Sequence, residues 1–201
     1  MNNLYASQYL LEAKLIIEQL DLAAIDKMTV LLIKLRENGG RLFLIGVGGG
    51  AGHASHAVND FRKLANIEAY SPSDNISELT ARTNDEGWDT TYAAWLHGSR
   101  ISGADMLFVF SVGGGDLARN ISPNIVRAVQ LAKQVGAAVI GVLGRDGGYT
   151  ASVADACVIV PVVNPGSITP HTEAFQAVIW HLIASDPRLQ LMSNKWEGSK
   201  P

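Results

Sequence analysis

The sequence is short of cysteine, charge and long apolar runs. Cys157 is its single cysteine, so no disulfide can form within the chain, and a reducing cytoplasm is the expected compartment. Charged residues are 17% of the 201 positions, and Lys and Arg form no dense cluster. Direct nucleic-acid binding is therefore not expected, because it draws on a basic patch. No apolar stretch reaches the ~20 residues needed to span a bilayer, and the N-terminus lacks a signal-peptide pattern. What the chain does have is apolar surface: 47% of its residues are hydrophobic and the formal net charge is -3. One domain of this length can bury a sizeable core. So apolar a chain also points to burial against another subunit.

Residues 4–38 read as two helices, marked by Leu10, Leu11, Ala13, Leu15, Ile16 and Leu20 and then by Leu22, Ile25, Met28, Leu31, Leu32 and Leu35. Each carries more than one apolar stripe, one for the domain and one for a partner subunit. A helical hairpin packed wholly within the chain is the alternative. Beyond Gly39-Gly40 short apolar runs alternate with helical patterns. Strands are expected at 42–47, 106–111, 137–143 and 157–163, with a weak one near 68–71. Helices are expected at 51–64, 77–81, 89–97, 124–135 and 172–184, with a polar corner at 82–87. Such alternation predicts an α/β fold: a parallel sheet covered by helices on both faces, with ligands at the carboxyl ends of the strands.

Two of those strands run into glycine loops, at residues 46–52 (GVGGGAG) and 111–116 (SVGGGD). Gly46, Gly48 and Ala51 loosely match a dinucleotide fingerprint, but the acid it requires about twenty residues on would be Asp74, in a turn-like stretch. A ligand held between the two loops fits better; tight turns without a ligand are the alternative reading. Backbone N–H groups at residues 113–115 can cradle an anion. After the first loop, His53, His56 and Asp60 fall on one helical face. His56 and Asp60, four apart, present two metal ligands or an acid–base pair. Glu173 and His181 lie eight apart on the last helix, ~12 Å along its axis, near the limit for one ion. His53 and His171 are further candidates. Core or interface histidines are the alternative for His56 and His181. Trp88, Trp95 and Trp180 read as core or interface aromatics rather than sugar platforms.

These motifs resemble the SIS (sugar isomerase) domain over residues 41–185, and with the two leading helices the whole chain, 1–201, resembles the phosphoheptose isomerase branch as a single domain. Members of that branch carry Gly-Asn-Gly-Gly-Ser, a His and Glu four apart, an Asn-Asp corner, Ser-Thr-Ser-Gly-Asn-Ser, and Gln and His eight apart. This chain has residues 46–50 as Gly-Val-Gly-Gly-Gly, then His56 and Asp60, Asn84-Asp85, residues 111–116 as Ser-Val-Gly-Gly-Gly-Asp, and Glu173 with His181. The resemblance implies a flavodoxin-like strand order and a cytoplasmic homo-oligomer, a tetramer or dimer joined through residues 1–38, that isomerises a sugar phosphate such as sedoheptulose 7-phosphate. It implies Zn2+ at His56, Asp60, Glu173 and His181. Proton transfer falls to Asp60 and His181, or to Glu173 if the shorter Asp60 cannot reach. Gly48, Gly49, Asn84, Asp85, Ser111, Gly113, Asp116 and Glu173 are implied to touch the substrate. The departures matter: of the second-loop hydroxyls that hold phosphate in the family only Ser111 remains, with Val112, Gly113 and Asp116 in place of the others, and Val47 and Gly50 replace the first loop's amide and serine; Asp116 adds a charge that repels a dianion unless a cation intervenes, or else accepts from sugar hydroxyls. A non-catalytic sugar-phosphate sensor or adaptor is therefore the second reading.

Overall fold

Uncharged apolar runs become the interior strands. The computed structural model describes residues 4–193. In it β1 (Leu42–Gly46) and β3 (Met106–Ser111) are buried at every position, as strands covered on both faces must be. With β2 (Ala69–Tyr70), β4 (Ala138–Leu143) and β5 (Ala156–Ile159) they form one parallel sheet in the order β2-β1-β3-β4-β5, the flavodoxin-like order expected.

Side chains alternate between two cores. Leu42, Leu44, Phe108, Phe110, Ile140 and Val142 face α1 (Leu4–Gln19), α2 (Leu22–Glu37), α3 (Gly49–Lys63) and α8 (Ile168–Ala184). Phe43, Ile45, Leu107, Val109, Val139 and Leu143 face α5 (Thr91–Gly98) and α6 (Pro123–Gln134). The sheet reverses its order between β1 and β3, which creates a crevice at their carboxyl ends.

Several boundaries differ from expectation. The polar corner at 82–87 is largely helix: α4 (Ile76–Glu86) runs through it. Asn75 caps its start by accepting from the Glu78 N–H, and Arg82 bridges Glu78 and Glu86 one turn either side. A six-residue helix, α7 (Gly148–Val153), was hidden in a glycine-rich stretch. The last helix starts at Ile168 rather than 172. β5 ends at Ile159 rather than 163, because it is an edge strand and Pro161 cannot donate to a ladder.

Candidate active site

The first glycine loop exists to bring α3 against the sheet. A Cβ on Gly46 would meet the Gly50 carbonyl at 2.3 Å, and one on Gly50 would meet the Phe110 carbonyl at 2.6 Å. Only a chain without side chains there can turn from β1 into α3 so tightly. The Glu173 carboxylate lies directly over Gly49, where a Cβ would meet it at 2.6 Å. A carboxylate is favoured there by the exposed N–H groups and dipole of the α3 N-terminus. His53 is half-buried beside Glu173. Burial pulls its imidazole below the usual range, against the opposing pull of that carboxylate.

One and two turns further along α3 stand His56 and Asp60. α8 packs alongside and brings His181 to them, so that one ligand atom from each of the three lies within 4.8 Å of the others. The His181 Nε2 is 4.0 Å from Asp60 Oδ2, and the rings of His56 and His181 are 5.4 Å apart, edge to face. Trp180 is fully buried and stacks on His181 at 3.4 Å, while His56 meets it at 4.8 Å. This indole fixes both imidazoles from behind. His181 Nδ1 lies 2.8 Å from the Ala177 carbonyl. A carbonyl only accepts, so in the neutral ring Nδ1 carries the proton and Nε2 keeps its lone pair facing Asp60. Asp60 is oriented in turn by the Asn59 amide, at 2.8 Å.

Three of the four expected metal ligands are thus assembled and Glu173 is not among them. The separation has a geometric cause: eight residues of helix lie between it and His181, and its carboxylate lies over Gly49 at the start of α3. The trio suits zinc in chemistry, two imidazoles and a carboxylate. Donors around one tetrahedral zinc sit roughly 3.3 Å apart, so side-chain rotation would close the group. His56 and His181 are exposed, which removes the core-histidine alternative for them. His171 takes that role: it is buried, its Nε2 is 2.9 Å from Glu12 of α1, and its ring stacks on Tyr9 at 4.2 Å. His171 and Asn164 hold the Glu12 carboxyl below the usual carboxylate range. Trp95 and Trp180 are core residues; Trp88 is partly exposed and packs on Tyr92.

The second glycine loop is built differently. Gly114 has φ +66° and a Cβ there would meet the Gly147 carbonyl at 1.8 Å. Its carbonyl accepts from both the N–H and the hydroxyl of Thr150, and the Gly115 carbonyl accepts from Tyr149 N–H. These bonds to α7 explain why that helix forms. Ser111 Oγ accepts from Gly114 N–H, so this expected substrate group also holds the loop together. Two clefts open on the loop. One, of about 290 Å³, lies at the crevice between β1 and β3 and is lined by Val47, Ser111, Gly113, Ser122, Arg145 and Thr169 among others. The other, of about 510 Å³, lies between residues 113–121 and α7. Asp116 borders the larger cleft, but Arg119 neutralises it through its backbone N–H at 2.9 Å and Nε at 2.6 Å, which hold the carboxyl below its usual range. Gly113 lines both clefts. Asn84 and Asp85 line neither; they are exposed near the end of α4, with the Asn84 amide donating to Asp85 at 2.7 Å. Sequence reading missed Arg145, a lone cation in the glycine-rich turn at the end of β4; that position was its available signal.

Known proteins share this fold. Residues 8–144 match the family model described as SIS domain. A phosphoheptose isomerase of Nitratiruptor sp. is 32% identical over 78% of this chain and 81% of its own length. The lincomycin biosynthesis protein LmbN of Streptomyces lincolnensis is 33% identical over 72% of this chain; the match spans only 54% of that longer protein. In three dimensions the phosphoheptose isomerase of Neisseria gonorrhoeae superposes with a TM-score of 0.77 over 90% of this chain and 95% of its own, at 23% identity. With the flavodoxin-like sheet, the paired glycine loops and these relatives in view, the chain belongs to the SIS domain family, in the group that includes the phosphoheptose isomerases.

Proposed function

We propose that this protein is a cytoplasmic phosphosugar aldose–ketose isomerase acting on sedoheptulose 7-phosphate or a close relative. The single observation that carries the chemistry is the meeting of His56, Asp60 and His181 from two helices, with the His181 Nε2 lone pair held toward Asp60. Isomerisation moves one proton between neighbouring carbons and another between their oxygens. Asp60 is the base that takes the proton from the carbon beside the carbonyl and returns it to the next carbon. His181 carries the hydroxyl proton between the two oxygens as the enediol forms and collapses. The sugar is its own oxidant and reductant, so nothing else is consumed. His56 and Asp60 would hold a zinc ion, joined by His181 when its single free nitrogen, Nε2, is not carrying the proton; bound, the ion would supply charge to stabilise the developing enediolate. Asp60 has two oxygens and can serve an ion with one and a proton with the other. Glu173, above the α3 N-terminus, is in reach of substrate at the glycine loop, and we assign it positioning there with Gly48 and Gly49. Asn84 and Asp85 face solvent in the single chain, and assembly is what would bring them to a substrate.

Assembly is part of the proposal. On α1, Leu4, Leu10, Leu11 and Ile17 are 77%, 68%, 55% and 59% exposed, and on α8 Val178 and Leu182 are exposed beside His181. An apolar surface of that kind is covered in homo-oligomers. Light scattering is expected to show a dimer or tetramer; a monomer at micromolar concentration would refute this part.

The activity is tested with sedoheptulose 7-phosphate in deuterated buffer, together with elemental analysis of protein purified without chelator. Deuterium at the carbon beside the carbonyl, and one zinc per chain, are expected. Binding of the sugar phosphate without exchange would replace the isomerase reading with that of a sugar-phosphate sensor, which the lost loop hydroxyls favour. Metal-free protein that turns over and is not stabilised by added zinc would remove the ion.

A further inference from the structure

The second loop keeps only Ser111 of the hydroxyls its relatives' motif carries, yet the crevice beside it is not without a group for an anion. Arg145 lines both clefts. Its stem lies over the glycine loop, with Cδ 3.9 Å from where a Gly113 Cβ would be. Its backbone is left-handed at φ +52°, a costly conformation for a residue with a long side chain. The acids nearby are already engaged. Asp116 is bound by Arg119, and Asp146 accepts from Gly148 N–H at 3.1 Å. Among the described residues Arg145 makes no hydrogen bond or ion pair. Arg145 is exposed, and its unpaired guanidinium at the rim of a crevice is a ready fork for a phosphate, which it can bind through two parallel N–H···O bonds. Ser122 and Thr169 add hydroxyls to the same wall.

We infer that Arg145 is the residue that binds the substrate's phosphate in this protein, taking over from the hydroxyls absent at Val112 and Gly113, with the phosphate seated in the crevice between β1 and β3. The inference rests on the isomerase reading for the identity of the substrate, not for the anion site. It also explains why Asp116 does not exclude a dianion: Arg119 has already cancelled its charge.

The test compares the parent with Arg145→Gln, Arg145→Asn and Arg145→Lys. Inorganic phosphate is titrated by calorimetry, and sedoheptulose 7-phosphate turnover is followed in parallel. Arg145→Asn is included because asparagine tolerates a left-handed backbone, so it separates loss of charge from loss of fold. Gln and Asn are expected to weaken phosphate binding and raise KM by about 10- to 100-fold, the worth of a charged hydrogen-bonding group. They leave kcat within about threefold, because the lost contact serves ground and transition states alike. Lys should recover part of the affinity but not the bidentate geometry. Phosphate affinity and KM both within about twofold of the parent in Gln and Asn would overturn the inference, as would a parent that does not bind phosphate. A parent that binds phosphate through Arg145 yet never exchanges the substrate's carbon-bound proton keeps the anion site and sinks the isomerase reading.

Discussion

The two ends of the β1–β3 pair are built on opposite plans. At the amino end the buried carboxylate of Asp105 is fully matched. Asp105 is 4% exposed and accepts from Arg41 N–H and Nε at 3.0 Å, from Arg41 Nη2 at 2.8 Å, and from Ser102 N–H and hydroxyl at 2.8 and 3.0 Å. The rest of the Arg41 fork donates to the Ser99 and Arg100 carbonyls. At the carboxyl end the same two strands run into glycine loops beside a cleft, which the exposed, unpaired Arg145 of the turn after β4 also lines. A buried charge is tolerable only when saturated, so the first end is a staple. An exposed, unpaired guanidinium at the rim of a cleft is available to a ligand. Side-chain chemistry at the two ends thus serves stability in one case and recognition in the other, and this division can be broken deliberately.

The largest effect is expected where the helices bring the proton-transfer groups together. Asp60→Asn and His181→Ala should each cost about 10²–10⁴-fold in kcat, measured by isomerisation, with the melting temperature close to the parent's. Asp60→Glu improving turnover would confirm the proton-transfer position. Loss of turnover only in Glu173→Gln would move the base to Glu173.

Next comes Gly114→Ala. The new methyl must displace the Gly147 carbonyl from a left-handed backbone, so a loss of about 3–5 kcal/mol in urea unfolding is expected. Phosphate binding should go with it. A variant as stable as the parent would show that the loop–α7 bonds are dispensable.

Asp105→Asn should lower stability by about 2–4 kcal/mol, or roughly 5–15 °C in thermal melting for a chain of this size, with kcat unchanged. Burial raises the Asp105 pKa, but the bonds from Arg41 and Ser102 outweigh it and hold the carboxyl below its usual value. The folded pKa lies below the unfolded one, so the stabilisation is present above the unfolded value and is lost as pH falls through the folded value. The gap between parent and Asp105→Asn should therefore narrow in acid. A gap constant down to low pH would mean the carboxylate's charge is not what staples this end.

The smallest effect sharpens the contrast instead of breaking it. Gly113 has ordinary backbone and open space, its nearest neighbour being the Arg145 stem at 3.9 Å. Gly113→Ser restores one missing hydroxyl and should lower KM about two- to fivefold, the worth of one neutral hydrogen bond at the low end of its range. Melting temperature should hardly move. A raised KM would mean that Arg145 and a serine compete for the same space.

Local composition was enough for the strands and most helices. Residues 106–111 are an uncharged run bounded by Asp105 and a glycine loop, and they form β3 at those limits. It failed at 82–87, where turn-forming residues lie inside a helix. No α4 residue is buried, so no apolar periodicity announced it, and caps and ion pairs carry it instead. It also missed α7, whose first turn is tied to carbonyls more than thirty residues away. By itself, then, the sequence determined the strand segments, the two loops, and the pairing of His56 with Asp60, because each depends on neighbours within a few residues. Tertiary structure alone decided that His181 and not Glu173 meets that pair, that His171 is a tie to α1, and that Arg145 stands over Gly113 without a partner. Each of those facts depends on distances between segments far apart in the chain, and the packing of helices on the sheet sets them.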